Sequence, residues 1–271
     1  MMSWIGEAKE LARALKIEVE LLLHEELQKQ TLRAIYLNPR LREITLHGGT
    51  ALRMVYGSPR FSLDLDFTGK PSLDLPDLPR ELISSIKPFE KPMNFNIGFT
   101  AKKILSNKHD FLRFNLIFIV AGMSKRFRIK VELLEKGFTR GVRREFSIKY
   151  PTPTVVYVKT KELSDILVDK VCAIAGRSYA LPRNIYDVDF IVRKGGKLDP
   201  KHMEEEFGEW RETREGLRKA ITLLERVDRK SILKEINLLL PESARIGLDD
   251  VNRSVGTTLE VLKEAMSILH G

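Results

Sequence analysis

Apolar and polar residues alternate along several stretches in the middle of the chain, a pattern typical of β-strands with one buried face. The clearest stretch is 126–134, where Phe127, Ile129, Val131 and Leu133 alternate with basic residues and Glu132. The alternation predicts a mixed core of about five strands. The candidate strands span 41–46, 61–67, 93–99, 111–120, 126–134 and 154–159.

Helical periodicity lies on both sides of this core. Apolar residues recur at three- and four-residue intervals over 3–36, and the sequence Ile17-Glu-Val-Glu indicates that a second helix begins there. From 161 onward the chain is predicted to be helical, with Thr160 capping the first helix. The predicted C-terminal helices span 162–175, 182–192, 199–208, 210–227, 229–240 and 256–270.

These patterns divide the chain into three predicted parts. A helical lead-in over 1–40 precedes an α/β core over 41–160, and a helical C-terminal part covers 161–271. Helices gathered at both ends of a mixed sheet define an α+β fold class. The boundary near 160 is a change of composition, with no linker sequence to mark it.

The amino-acid composition limits the classes of protein to which this chain can belong. The 271 residues are 43% hydrophobic and 31% charged, and no apolar run approaches the length of a membrane span. The N-terminus lacks a signal-peptide core, so we expect a cytoplasmic protein without a membrane partner. One cysteine, Cys172, excludes an internal disulfide and a Cys-rich zinc site. Abundant Lys, Arg and Glu with only two glutamines are typical of a thermophilic source.

The net charge of +9 favours a polyanionic partner, with nucleic acid as the first candidate. A solvated basic surface explains the same charge equally well. One basic cluster contains Phe138 and Phe146, and it could follow an RNA backbone or be a solvated hairpin. Its basic members are Lys125, Arg126, Arg128, Lys136, Arg140, Arg143, Arg144 and Lys149.

The segment 46–67 carries the strongest candidate chemistry. Gly48 and Gly49 enter a short helix predicted at 51–56 with Thr50 as its cap, and glycines allow backbone N–H groups to approach a phosphate closely. Asp64 and Asp66 alternate on a predicted strand and therefore point to the same side. Two adjacent carboxylates repel each other unless a divalent cation binds, and Mg²⁺ takes a carboxylate or two together with substrate phosphates. The alternative is a glycine turn followed by an exposed edge strand.

Glu132 is the candidate third carboxylate. It lies on the polar face of the strand 126–134, and pairing of that strand beside Asp64 and Asp66 would bring three metal ligands together. The alternative is an exposed Glu132 that forms a salt bridge with Lys130 or Arg128.

Two polar residues precede the aspartates. Ser62 shares their predicted face and either binds a phosphate oxygen or points into solvent. Arg60 could reach a phosphate, but its position favours a solvated turn residue.

These motifs resemble a known family. Gly48-Gly49-Thr50-Ala51-Leu52 and the following 60–67, Arg-Phe-Ser-Leu-Asp-Leu-Asp-Phe, are similar to the signature of the nucleotidyltransferase-like AbiEii/AbiGii toxin family. That family belongs to the DNA polymerase β-type nucleotidyltransferase superfamily. The resemblance covers roughly 40–195 and implies a nucleotidyltransferase-like sheet core with helices before and after it.

The resemblance also assigns roles to C-terminal residues. A helical lysine in the family matches Lys170, a following arginine matches Arg177, and an Arg-Asp-x-x-Asp-like segment matches 183–187, which ends in Asp187. By resemblance, Lys170 and Asp187 are catalytic and Arg177 contacts the nucleotide. The residues alone favour a Lys170 side chain that extends to solvent and an ion pair between helices for Arg177 and Asp187, and the resemblance favours the nucleotide cleft instead.

In the same way Asp64, Asp66 and Glu132 are implied as catalytic metal ligands. Gly48, Gly49, Thr50 and Ser62 are implied as nucleotide-binding residues. The chain departs from the family at two positions. Glu132 replaces a common aspartate, and Asn184 replaces another in the C-terminal segment.

The activity implied is Mg²⁺-dependent transfer of a nucleotide from an NTP to RNA, with tRNA as the expected acceptor and a cognate antitoxin as a possible partner. Three alternatives stay open. The same site could transfer a phosphoryl group to protein or to itself, the chain could be a non-catalytic nucleotide- or RNA-binding module, or it could modify a small antibiotic. The basic charge disfavours the last, because cationic antibiotics favour acidic clefts.

Overall fold

The computed structural model describes residues 3–106, 110–136, 140–177, 179, 182–208 and 213–269. The chain forms two compact units, Met1–Lys161 and Glu162–Gly271. The predicted three-part division into 1–40, 41–160 and 161–271 stays a prediction.

Two long helices begin the first unit, with a break where the sequence predicts one. Ser3 caps the first helix by accepting a hydrogen bond from the Gly6 amide, and Lys16 ends it in the left-handed conformation. Helix α2 is mostly buried, and a hydrogen bond from its Tyr36 hydroxyl to the Lys159 carbonyl ties it to the end of the sheet. The helices are α1 Trp4–Leu15, α2 Val19–Leu37, α3 Gly48–Met54, α4 Leu78–Ile86 and α5 Glu90–Met93.

A seven-stranded mixed sheet forms the centre of this unit, in the order β3-β4-β5-β2-β1-β7-β6. The pairs β2–β5 and β1–β7 are parallel, and the other neighbours are antiparallel. The strands are β1 Thr45–His47, β2 Asp64–Thr68, β3 Phe95–Ser106, β4 Asp110–Val120, β5 Arg126–Leu134, β6 Val142–Ile148 and β7 Thr154–Thr160.

One face of the sheet is buried and the other is largely polar. Helix α2 contacts β5 and β7, and α4 contacts β3. On β4 and β5 every second residue is buried, including Phe114, Phe118, Ile129 and Leu133 at no more than 1% exposure, and the residues that alternate with this buried set are partly or fully exposed. The alternation of apolar and polar residues in the sequence therefore corresponds to the alternation of buried and exposed residues on these strands.

The α+β class is confirmed, and the structure corrects several details. β1 is confined to Thr45–His47, because 38–44 form turns that bury Leu41 and Ile44 without strand pairing. β6 was not predicted. Thr50 lies inside α3, whose N-cap is His47, so Thr50 does not cap it. Thr160 ends β7 and donates a hydrogen bond to the Leu46 carbonyl, which leaves Glu162 as the N-cap of the next helix.

The second unit is helical in the part that the structure describes. Its first two helices are amphipathic and contact each other, and the last helix packs against α7 and α9. That last helix begins at Leu248, well before the predicted start at 256, because Gly247 and Asp250 form a capping interaction. The helices are α6 Leu163–Ala175, α7 Pro182–Arg193, α8 Pro200–Gly208, α9 Thr213–Glu225, α10 Arg229–Asn237 and α11 Leu248–Ile268.

Among the described residues, no helix combines the length and apolar character needed to cross a bilayer.

Candidate functional site

The glycine pair begins α3 directly after β1 and lies against β2. Gly48 has φ +71°, and a Cβ there would be 2.6 Å from Asp66 Oδ2. His47, the preceding residue, is the β1 partner of Asp66 across the antiparallel ladder. Both the backbone conformation and the lack of space therefore require glycine at position 48.

Gly49 makes the second close approach. A Cβ there would be 2.6 Å from Arg60 Nη2 and 2.8 Å from Ser62 Oγ. Arg60 is 3% exposed and donates a hydrogen bond to the Phe61 carbonyl at 2.9 Å, so the interpretation as a solvated turn residue was wrong. Ser62 is also buried, at 8% exposure, and precedes β2. The structure thus gathers Arg60 and Ser62 beside Gly49, and Asp66 beside Gly48.

The start of β2 is fixed by side chains from two helices. The Thr50 hydroxyl donates a hydrogen bond to the Asp64 carbonyl at 2.5 Å, and Gln28 Nε2 donates to the same oxygen at 3.4 Å. These contacts hold the first carboxylate-bearing residue against α3. Thr50 occupies the third position of α3, where a backbone N–H lacks an intrahelical partner and is available to a ligand.

The three predicted acids occupy neighbouring strands. In the parallel β2–β5 register, Asp64 pairs with Lys130 and Asp66 with Glu132. Lys130 Nζ bridges two acids, at 3.3 Å from Asp64 Oδ2 and 3.3 Å from Glu132 Oε1. Arg113 from β4 lies 2.5 Å from the same Glu132 oxygen. Glu132 Oε1 has no well-angled hydrogen bond to a described residue, so these contacts are mainly electrostatic.

The surroundings of Lys130 change the pKa of its side chain. Partial burial lowers the pKa of Lys130, but the nearby carboxylates of Asp64, Glu132 and Asp66 outweigh it, and the net pKa lies above the ordinary value. Lys130 therefore stays charged and neutralises part of the negative charge of this face.

The carboxylates fit a divalent cation in part. Asp64 and Asp66 supply the oxygen ligands that Mg²⁺ prefers. Within the described ranges, however, no three His, Cys, Asp or Glu side chains are arranged closely enough to hold a metal ion. Glu132 points instead to Arg113 and Lys130. The fit is thus to two carboxylates completed by substrate phosphates, and Glu132 as the third metal ligand stays a prediction.

The predicted C-terminal residues form their own cluster in the second unit. Lys170 Nζ lies 2.7 Å from Asp187 Oδ2 and donates a hydrogen bond to Asn184 Oδ1 at 3.3 Å. The side chain of Asp187 is fully buried and that of Lys170 is 12% exposed. Arg177 lies just beyond α6 and is exposed. The catalytic roles of Lys170 and Asp187 and the nucleotide contact of Arg177 stay predictions.

The predicted basic cluster separates in the structure. Lys125 pairs with Glu20, Arg143 with Glu43, and Lys149 with Glu7. Phe146 does not belong to an exposed binding surface. Phe146 is 7% exposed within the core, and Phe138 lies outside the described residues.

Sequence reasoning missed two contributors to this site. The sequence patterns do not single out Arg113, and they indicate for Lys130 only a possible salt bridge with Glu132. The alternation of β4 and β5 places both on the polar face, which was a usable signal. Only the register shows that Lys130 reaches Asp64 as well as Glu132.

Two solved structures from Helicobacter pylori share the fold of this chain. One neighbour is JHP933, at 18% identity and TM-score 0.52, with 93% of this chain and 95% of that chain covered. The other is described as a candidate nucleotidyltransferase, at 17% identity and TM-score 0.54, with 93% and 99% covered. No curated protein matches this sequence.

The family follows from the sequence. The model of the nucleotidyl transferase AbiEii toxin family, a type IV toxin–antitoxin system, matches residues 30–252. The chain belongs to this nucleotidyltransferase family, which confirms the resemblance predicted from the motifs.

Proposed function

We propose that the protein transfers a nucleoside monophosphate from an NTP to an RNA acceptor, with tRNA as the first acceptor to test and Mg²⁺ as the metal. The observation that carries this proposal is the close approach of Gly48 to Asp66 and of Gly49 to Arg60 and Ser62. Phosphate-binding backbone, a buried cation and a carboxylate pair meet there. Family membership supports the NTP as substrate.

Each residue has a defined task in this proposal. The glycine pair and the Thr50 N–H approach the phosphates, and Ser62 and Arg60 supply a hydroxyl and a positive charge. Asp64 and Asp66 would hold Mg²⁺, which would neutralise triphosphate charge. In the transfer, the acceptor hydroxyl oxygen bonds to the α-phosphorus, the bond to the bridging oxygen breaks, and pyrophosphate leaves. Glu132 would accept the hydroxyl proton.

The buried Arg60 favours a polyphosphate over a neutral ligand. An arginine side chain carries a positive charge, and at 3% exposure Arg60 has little water around it to screen that charge. A charge held this way attracts phosphate oxygens more strongly than a surface arginine does.

The wider assignment follows from the family. We expect a cognate antitoxin, because the family description places such proteins in type IV toxin–antitoxin systems. Cytoplasmic localisation is part of the same proposal. Roles for Lys170, Asp187 and Arg177 toward the nucleotide rest on the resemblance alone.

The test uses NTPs labelled at the α or γ position, incubated with total tRNA and with the protein alone. Label from the α position on RNA is the expected result, and an Asp66→Asn variant should abolish it. Label only from the γ position would replace the proposal with phosphoryl transfer. No transfer from any NTP, together with undiminished RNA binding by the variant, would indicate a non-catalytic binding module.

A further inference from the structure

The polar face of the sheet continues beyond the acids across β5, β4 and β3. Cross-strand pairs place Arg128 opposite Ile117 and Arg126 opposite Ile119, and Ile117 in turn lies opposite Gly98. These residues line a shallow concavity of ≈ 430 Å³. We call this surface the platform and define it by Asn96, Gly98, Ile117, Ile119, Arg126 and Arg128.

The charge of the platform is positive and uncompensated. Arg126 and Arg128 are exposed, and neither guanidinium makes an ion pair or hydrogen bond with a described residue. Among the residues that the structure describes, no acidic side chain lines the concavity. The contrast is with Lys125, Arg143 and Lys149 of the same sequence cluster, which are paired with glutamates. Two unpaired arginines on one face favour a polyanion.

The platform also exposes apolar surface between its charges. Ile119 is 46% exposed and Ile117 is half-buried. A Cβ on Gly98 would meet no heavy atom within 4 Å, so the strand opposite Ile117 leaves open space. Flat apolar surface beside guanidinium planes suits an unstacked nucleobase, which has an apolar face and stacks on arginine.

The platform is continuous with the proposed site. On β5, Arg128 and Lys130 are two residues apart and face the same way, and Lys130 pairs with Asp64. Two residues along a strand span roughly 7 Å. A chain of nucleotides lying on the platform would therefore end near the carboxylates.

We propose that the platform binds the single-stranded 3′ end of the RNA acceptor. Arg126 and Arg128 hold backbone phosphates, and Ile117 and Ile119 contact a base. This inference rests on the proposed function and adds the surface that receives the acceptor. Charge and continuity with the acids favour RNA over a protein partner on this surface.

The test measures binding of a fluorescent single-stranded RNA of about 12 nucleotides by anisotropy at several salt concentrations. The double variant R126S/R128S should bind at least tenfold more weakly, and the slope of log K against log salt should fall by about 1 to 2. The matched control, R143S/R144S, removes two exposed arginines from β6 at the other edge of the sheet. It should change affinity less than about twofold.

A second variant separates stacking from charge. Ile119→Ser should weaken binding and leave the salt slope unchanged, because it removes apolar contact and no charge. Far-UV circular dichroism checks that each variant folds, as expected for substitutions of exposed side chains.

The outcomes distinguish this inference from the proposed function. Equal loss in both double variants, or unchanged RNA binding by R126S/R128S, overturns the platform and leaves the surface to a protein partner. RNA labelled equally well by wild type and R126S/R128S also overturns it, while the proposed function stands. Selective loss of RNA binding without label transfer to any RNA supports the platform and contradicts the proposed chemistry.

Discussion

Two clusters in this protein combine a lysine with acidic side chains, and water reaches them very differently. Lys170 and Asp187 lie 2.7 Å apart with side chains 12% and 0% exposed. Lys130 bridges Asp64 and Glu132 with side chains 34%, 27% and 19% exposed. The first pair satisfies its own charges, whereas the second leaves accessible carboxylate surface on a sheet face.

This difference in exposure distinguishes motif residues that stabilise the fold from motif residues that can bind a ligand. A buried ion pair loses much of its hydration, so removal of one partner leaves an unpaired charge and is costly. A part-exposed bridge is screened, contributes little to stability, and can be replaced by another cation. The Lys130 cluster is therefore suited to ligand exchange, and the Lys170 pair is suited to fixing α6 against α7.

The largest expected effect is a loss of activity when a carboxylate beside the part-exposed Lys130 cluster is replaced. Asp66→Asn should lower nucleotide transfer by about 10³-fold or more, because the proposed function assigns this carboxylate to Mg²⁺ and loss of a metal ligand costs several kcal/mol of transition-state stabilisation. Label transfer from an α-labelled NTP measures the rate, and urea unfolding should show little change. The exposed Asp74→Asn is the control. A parallel loss of stability would show that Asp66 is structural.

In the buried cluster the expected effect is on stability. Lys170→Met should destabilise the protein by about 3–5 kcal/mol, because Asp187 is left charged and buried. Chemical denaturation followed by circular dichroism measures the change. The double variant K170M/D187L should recover most of the loss, and Lys219→Met in the exposed Lys219–Glu215 pair should have little effect. Full stability of the single variant together with lost transfer would support the catalytic role of Lys170.

The glycine turn lies beside Asp66, next to the part-exposed Lys130 cluster. Gly48→Ala should destabilise the protein by about 1–3 kcal/mol and abolish stabilisation by NTP, because it combines positive φ with a clash against Asp66. Gly57 has φ +76° and open space around its Cβ position, so Gly57→Ala carries the backbone strain without the clash. Thermal shift with and without NTP compares the two. Equal NTP responses would contradict a phosphate-binding role for Gly48.

The smallest expected effect is on metal affinity. Lys130→Met removes a cation that competes for Asp64, so Mn²⁺ should bind up to about tenfold more tightly in calorimetric titration without NTP. Lys125→Met, which removes a surface charge paired with Glu20, serves as the control. Unchanged or weaker Mn²⁺ binding would show that Lys130 does not compete with metal.

Sequence patterns predicted the elements with one clearly buried face. β5 has the predicted bounds, 126–134, because burial of one face imposes a regular alternation on its residues. β6 was missed since an edge strand needs no apolar alternation, and its 143–145 are all charged and exposed. β1 was extended too far because Leu41 and Ile44 are buried in a turn.

The candidate site was predictable where spacing alone determines geometry. The glycine pair and the alternating aspartates are local patterns, and the structure places Gly48 beside Asp66. The burial of Arg60 and the bridge from Lys130 depend on contacts between segments far apart in sequence. Such contacts follow from register and packing, which a single sequence does not contain.

The parallel pairing of β2 with β5 also sets the timing of assembly. Asp66 pairs with Glu132, and β1 pairs with Thr160 of β7. Both central strands therefore complete their pairing only after residues far along the chain have been synthesised. Ribosomes add roughly 5–20 residues per second, so several seconds separate synthesis of the aspartates from synthesis of β5. A nascent chain released before β5 carries the Gly48–Asp66 motif without its sheet neighbour. Truncated products that end before β5 should therefore lack the nucleotide transfer proposed above.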